Sequence, residues 1–261
     1  MSYLIGITGK GGVGKTTVAA LLVSRLIAQG KGPVLAVDAD PNSCLDATLG
    51  VHAAKTVGGV REDARRIASE GMASGISKQE LLELKIAESL VEAHDFDLIA
   101  MGRPEGPGCY CYANNVLKSV LAQIAEPYPY VVLDNEAGLE NLSRRLVQKV
   151  DLLVMVADPS QRGLDTLLRL HELVREMEIA YDRLVLIVNR LRHDELPERV
   201  GELQRLTGAD AVVGLPDDAE LAEWGEQGKS LTTFPGTNPV VARLDQLLAE
   251  ILPGQPALAK S

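Results

Sequence analysis

Basic residues are the scarce charge in this chain of 261 residues: 26 Lys and Arg stand against 36 Asp and Glu, giving a formal net charge of −10. A surface of that sign argues against non-specific binding to DNA or to anionic membranes, so neither nucleic acid nor membrane is expected as a partner. Long apolar runs are also missing, and none approaches the ~20 residues that a membrane span needs. The first residues run straight into a strand-like stretch without a basic segment, an apolar h-region or a cleavage site, so a cytoplasmic protein is expected. Three cysteines are odd in number for a disulfide framework. The four histidines, His52, His94, His171 and His193, fall at no ligand spacing and are expected to be structural or exposed. What remains is ordinary globular material, 46% hydrophobic and 24% charged, enough for the core of one large α/β domain.

The most constrained stretch is Gly9-Lys10-Gly11-Gly12-Val13-Gly14-Lys15-Thr16-Thr17, which reads G-x-x-x-x-G-K-T. An apolar run of strand length, residues 3–8, precedes it. Val18, Leu21, Leu22, Val23, Leu26 and Ile27 follow at helical spacing over 17–29, with Gly30 as the C-cap. Strand, glycine loop and helix are the context of a Walker A phosphate-binding loop. Glycines let the backbone turn tightly and present its N–H groups to phosphate oxygens, and the helix N-terminus adds unpaired donors. Gly9, Gly11, Gly12, Val13, Gly14, Lys15, Thr16 and Thr17 are thus the expected nucleotide cradle, with Lys15 on the β/γ-phosphates and the Thr16 hydroxyl on Mg²⁺.

Lys10 is a second lysine, set between the motif glycines, and phosphate binding within one subunit does not need it. The string K-G-G-V-G-K-T-T resembles the deviant Walker A ATPases: MinD and ParA proteins, the nitrogenase iron protein and metallocentre-assembly ATPases. The resemblance implies a P-loop NTPase of the SIMIBI/MinD type, an α/β fold with a mostly parallel sheet flanked by helices. It also implies a nucleotide-sandwich homodimer in which Lys10 reaches the partner's phosphates. Residues 1–252 are expected to form one ATPase domain, followed by a loose tail over 253–261.

A buried-type strand over 33–38 ends on Asp38-Ala39-Asp40-Pro41-Asn42, and ligands of parallel sheets sit outside the carboxyl ends of strands. This D-x-D-P run resembles switch I of the same class, which implies that Asp40 orients the attacking water and Asp38 supports the Mg²⁺ shell. Cys44 is isolated and is expected to be a small buried residue. Helices are expected over 61–70 and, from a capping-box pattern, over 77–94. Further strands are expected over 97–101 and over 131–134, the latter ending on Asp134, an acid in the Walker B position that holds Mg²⁺ through water. The continuation Asn135-Glu136-Ala137-Gly138 resembles switch II, and Gly138 would let that loop move with the γ-phosphate. A short helix (142–149), a strand (152–157) and a helix capped by Asp158-Pro159-Ser160 (164–177) follow. Then come a strand (184–190), a helix (195–207), a strand (211–215) and a last helix opened by Asn238-Pro239 and running to 252. By resemblance Asn189 contacts adenine, and Pro216 and Asp217 belong to the segment that closes over the base. The guanine-reading N-K-x-D is absent, because Asn189 is followed by Arg190-Leu191-Arg192, so ATP is expected over GTP.

Residues 102–115 read G-R-P-E-G-P-G-C-Y-C-Y-A-N-N, and their glycines and prolines forbid regular structure ahead of the cysteines. An extended Cys109-Tyr110-Cys111 puts both thiols on one side. Two thiolates do not fill a tetrahedral site, and a two-fold axis would supply two more. On its own such a pair divides between structural use and metal chemistry. The whole string resembles the CooC family of nickel-insertion ATPases that mature carbon monoxide dehydrogenase, and implies Cys109 and Cys111 as Ni²⁺ or Zn²⁺ ligands at a dimer interface. An ATP-driven metallochaperone with carbon monoxide dehydrogenase as client is the function this resemblance implies. The alternatives are a MinD- or ParA-like positioning ATPase and an iron-protein-like Fe–S electron donor. The first would need a basic C-terminal amphipathic helix or a basic surface. The second would need a cysteine just after switch II, where residues 134–146 have none.

Overall fold

Strand β1 (Tyr3–Gly9) lies in the middle of the sheet because both of its faces are apolar or small: from Ile5 to Gly9 every residue is buried. The computed structural model describes residues 2–42, 44–59, 87–102, 121, 124–138 and 149–252. In chain order these give α1 (Lys15–Ala28), β2 (Val34–Asp38), α2 (Leu45–Leu49), β3 (Val91–Glu92), β4 (Phe96–Ala100), β5 (Tyr130–Asp134) and β6 (Lys149–Ala157). They continue with α3 (Gln161–Glu176), β7 (Ala180–Leu191), α4 (Arg199–Thr207), β8 (Ala211–Pro216), α5 (Ala219–Glu226), a 3₁₀ turn (Leu231–Thr233) and α6 (Pro239–Ile251). The strands form one eight-stranded sheet in the order β3-β4-β2-β5-β1-β6-β7-β8. All pairings are parallel except β3 with β4. The mostly parallel α/β architecture expected from the sequence is what forms.

Alternation along the strands sends side chains into two cores. Ile5, Ile7, Val132, Val154 and Val156 meet Leu22 and Leu26 of α1 and Leu244 and Leu248 of α6. Leu35, Val37, Leu133, Leu153 and Met155 meet Leu164 and Leu167 of α3 and Leu203 of α4. Burial on both faces explains why these strands read as unbroken apolar runs. Two side chains of α1 tie it to α6: Arg25 makes a two-pronged contact with Asp245, both arms at 2.9 Å, and Gln29 donates to the same carboxylate. Asn238 caps α6 and Pro239 occupies its first turn, as the sequence signalled.

Several expectations are corrected. Cys44 is exposed, because it stands at the start of α2 where its backbone points inward and Leu45 takes the buried place. The helix expected to reach residue 94 has ended by then: Val91–Glu92 pairs antiparallel with β4, and residues 60–86 lie outside the described residues, as does the helix expected over 61–70. Lys149 opens β6 rather than closing a helix. Helix α4 starts at Arg199, four residues later than expected, because Pro197 breaks the run before it. Helix α5, absent from the sequence-based expectations, is capped by Asp218, whose side chain accepts from Leu221 N–H. The histidines behave as expected: His52, His94 and His193 are exposed, while His171 is buried against the Tyr181 hydroxyl at 3.2 Å.

Candidate functional site

Register sets the centre of the site. In the β2–β5 pairing Asp38 lies opposite Asp134, and in the β1–β5 pairing Ile7 lies opposite Asp134. Both acids therefore end their strands beside the loop that leaves β1. That loop, residues 10–14, runs straight into α1, whose N-cap Gly14 is left-handed at φ +94°. The first backbone bond of α1 is Val18 N–H to the Gly14 carbonyl, so the amides of Lys15, Thr16 and Thr17 precede it. Gly9 passes so close to the Val156 carbonyl that a Cβ there would overlap it.

Lys15 is 8% exposed and its Nζ donates to the Lys10 carbonyl at 3.3 Å. Burial lowers its pKa, opposed by the charges of Asp134, Asp40 and Glu136. Asp38 is fully buried, and its carboxylate accepts the backbone N–H of Asp40 (3.1 Å), Cys44 (2.9 Å) and Leu45 (3.0 Å). It thereby shapes the whole turn after β2. Burial still raises its pKa to about 6. Asp134 accepts from the Thr16 hydroxyl, and burial raises its pKa to about 7, with the Asp38 charge adding to the rise. Its Oδ1 is buried with no hydrogen-bond partner. Two adjacent buried carboxylates, an orphaned carboxylate oxygen and a neighbouring hydroxyl are a hard-oxygen donor set, and a small divalent cation fits them. Asp40 is half-buried, and its Oδ1 accepts from the amide N–H and side chain of Asn42.

The segment after Asp134 is stitched back to β1. Asn135 donates from both N–H and Nδ2 to the Ile7 carbonyl, at 3.2 and 2.9 Å. Gly138, at φ +93°, donates its N–H to the Gly9 carbonyl (3.1 Å) and accepts from the Thr8 hydroxyl. Lys10 is exposed. Burial pushes the Asp158 carboxyl up, but Ser160's hydroxyl and N–H and then the Lys10 charge outweigh it, and it sits below the usual range. Asn189 ends the regular part of β7 and donates from Nδ2 to the Val13 carbonyl at 2.8 Å. Pro216 closes β8, and Asp217 N–H bonds the Leu191 carbonyl at 2.8 Å.

The structure thus gathers Gly9 to Thr17, Asp38, Asp134 and Asn189 at one end of the sheet, with Asp40 beside them and Pro216-Asp217 beyond Asn189. It places Asn189 against the loop backbone. Sequence reasoning missed Thr8 and the two bonds of Asn135, although each is adjacent to a motif residue that stood out. Cys109 and Cys111 lie outside the described residues. Among the described residues no cluster of His, Cys, Asp or Glu has the makings of a further metal site. No helix among them is long and apolar enough to cross a membrane.

Residues 4–231 match the family model of the CobQ/CobB/MinD/ParA nucleotide-binding domain. An uncharacterized ATP-binding protein of Methanocaldococcus jannaschii is 38% identical over 250 residues, covering 95% of this chain and 98% of that one. The carbon monoxide dehydrogenase accessory protein CooC of Rhodospirillum rubrum is 31% identical over 239 residues, covering 87% of this chain and 88% of its own. Among solved structures, a ParA family ATPase from Chlorobium tepidum superposes with a TM-score of 0.70 at 20% identity, over 95% of this chain and 99% of that one.

Proposed function

The chain belongs to the CobQ/CobB/MinD/ParA nucleotide-binding family, and from that premise we propose that it is an ATP-hydrolysing metallochaperone. It carries nickel on Cys109 and Cys111 at an intersubunit site and delivers it to carbon monoxide dehydrogenase. The observation that carries this reading is the presence in one chain of the Lys10-containing cradle and the string Gly102 to Asn115 with its paired cysteines. The CooC relative at 31% identity supports it. Soft thiolates suit Ni²⁺ and also Zn²⁺, which would compete for the same cargo site.

Hydrolysis is in-line attack of water on the γ-phosphate. Gly9 to Thr17 hold the phosphates through backbone N–H groups, and Lys15 lies along the β- and γ-phosphates. Asp40 orients the attacking water. Thr16, Asp38 and Asp134 would hold Mg²⁺, which when bound supplies positive charge to the phosphate oxygens. Lys10 enters from the partner copy, so dimer closure and catalysis are one event. A cation supplied in this way is worth roughly 10³–10⁵ in rate in GTPases that have been dissected. Asn189, Pro216 and Asp217 flank the adenine. Switch II lies close in sequence to the cysteine segment, which gives nucleotide a route to move metal.

A positioning ATPase would need a basic C-terminal amphipathic helix or a basic surface, and the net charge of −10 disfavours the second. In α6 the apolar side chains Val240, Val241, Leu244, Leu247, Leu248 and Ile251 are all buried in the core, so that helix has no apolar face to offer a membrane. Light scattering with and without Ni²⁺ and a non-hydrolysable ATP analogue, on wild type and on a Cys109→Ser/Cys111→Ser pair, tests the proposal. Association that depends on Ni²⁺ in wild type and disappears in the pair is expected. Ni²⁺-dependent association that persists unchanged in the pair would sink the shared site.

A further inference from the structure

We propose that Asn189 is a positioning residue for the phosphate cradle, acting on the Val13–Gly14 peptide whichever base is bound. The proposal rests on the nucleotide-binding reading above but goes beyond a contact with adenine. Asn189 is only 9% exposed, and its Nδ2 lies 2.8 Å from the Val13 carbonyl, 176 residues earlier in the chain. Helix α1 does not use that carbonyl, because its first backbone bond goes to Gly14. Val13 sits between Gly12 at φ +80° and Gly14 at φ +94°, two left-handed residues that leave the intervening peptide outside any ladder.

The end of β7 is built to deliver this side chain. Pairing with β8 is regular to Val188 opposite Gly214 and resumes at Leu191 opposite Pro216, so Asn189 and Arg190 stand against a single residue of β8. Such a bulge re-aims a side chain. It also places Arg190 at φ +61°, a conformation that a residue with a Cβ adopts only when its surroundings impose it. The fit on the loop side is equally close: a Cβ on Gly14 would come within 2.5 Å of Nδ2. A trans peptide is planar, with its C=O and N–H antiparallel. Pinning the Val13 carbonyl onto Asn189 therefore turns the N–H of Gly14 to the opposite face of the loop, the face a phosphate occupies. Release of the carbonyl lets that peptide rotate and disorganises the donors of the cradle.

A ligand without a base separates this role from base recognition. Titration calorimetry with Mg²⁺–ATP and with Mg²⁺–tripolyphosphate is compared for wild type, Asn189→Ala and the volume-preserving Asn189→Leu, with melting curves of each ligand-free protein. Both variants are expected to bind tripolyphosphate about tenfold more weakly, the order of one well-made hydrogen bond, and ATP more weakly by at least that factor. Weakened ATP binding with tripolyphosphate binding at the wild-type value would make Asn189 a base contact only and overturn the proposal. A lowered melting temperature with wild-type tripolyphosphate affinity in the folded protein would make it merely structural and overturn the proposal equally. Wild type that binds neither ligand would overturn the nucleotide reading itself, and this proposal with it.

Discussion

Replacing Asp134 by Asn should make the ligand-free protein more stable, although it removes a residue assigned to the heart of the site. Asp134 is 1% exposed, its Oδ1 has no partner, and burial raises its pKa from 3.8 to about 7. Asp38 beside it is raised from 3.8 to about 6, also chiefly by burial. An acid whose pKa is higher folded than unfolded favours the folded state fully at pH values below the unfolded pKa. That advantage is lost as pH rises through the folded pKa. Ligand-free stability should therefore fall between about pH 4 and pH 7 and level off above it. At about 1.4 kcal/mol per pKa unit, the shift at Asp134 corresponds to about 4 kcal/mol at pH 8. Lys15 offsets part of this, since the charge of Asp134 is what opposes its own desolvation. A net gain of about 2–3 kcal/mol remains, worth roughly 5–10 °C in Tm for a chain of this size. The assay is thermal unfolding in EDTA across pH 4.5–8.5, repeated with Mg²⁺. Wild type should be least stable in EDTA at high pH and recover with Mg²⁺; Asp134→Asn should lose the Mg²⁺ recovery and keep only the smaller fall, complete by about pH 6, that Asp38 contributes. A variant that melts at or below wild type at pH 8 in EDTA would refute the reasoning.

On the proposed mechanism, in which Lys10 acts on the partner copy's phosphates, Lys10→Ala should bind nucleotide with near wild-type affinity yet turn over roughly 10³-fold more slowly or worse; phosphate release against equilibrium binding checks this. In the Cys109→Ser/Cys111→Ser pair, the exposed Cys44 should still react with a thiol reagent in the folded protein, one equivalent per chain, and slowly, because burial and then the Asp38 charge raise its pKa. Leu244→Ala, at a fully buried position between α6 and α1, should destabilise the fold by about 2–5 kcal/mol in urea titrations and leave the nucleotide affinity of the folded protein unchanged.

The fold was legible wherever one local pattern sufficed. Val34 to Asp38, Tyr130 to Asp134 and Leu152 to Ala157 are apolar runs because they are buried on two faces, and Asn238-Pro239 marks a helix start by its own chemistry. The cradle was legible for the same reason: glycines, a lysine and two threonines at fixed spacing carry their geometry with them. What escaped depends on partners distant in sequence. Val91–Glu92 is a strand only because β4 lies beside it. Helix α5 has no buried residue, so no apolar stripe announces it. Cys44 faces outward because Asp38 draws in its backbone amide, and composition cannot show that. The bond from Asn189 to Val13 joins residues whose proximity only the sheet order creates.

The link between Gly138 and the end of β1 has a thermodynamic consequence. Two hydrogen bonds, Gly138 N–H to Gly9 and Thr8 hydroxyl to Gly138, fasten the loop after β5 in its resting position. At about 0.5–1.5 kcal/mol net each, they keep the unfastened loop at a minor population, on the order of a few per cent. A triphosphate that recruits Gly138 must outcompete those two bonds, whereas a diphosphate has no terminal group with which to do so. On the proposed reading of residues 135–138 as a switch, these bonds set a threshold that the third phosphate alone would cross, made by a hydroxyl and a carbonyl on the strand that carries the cradle.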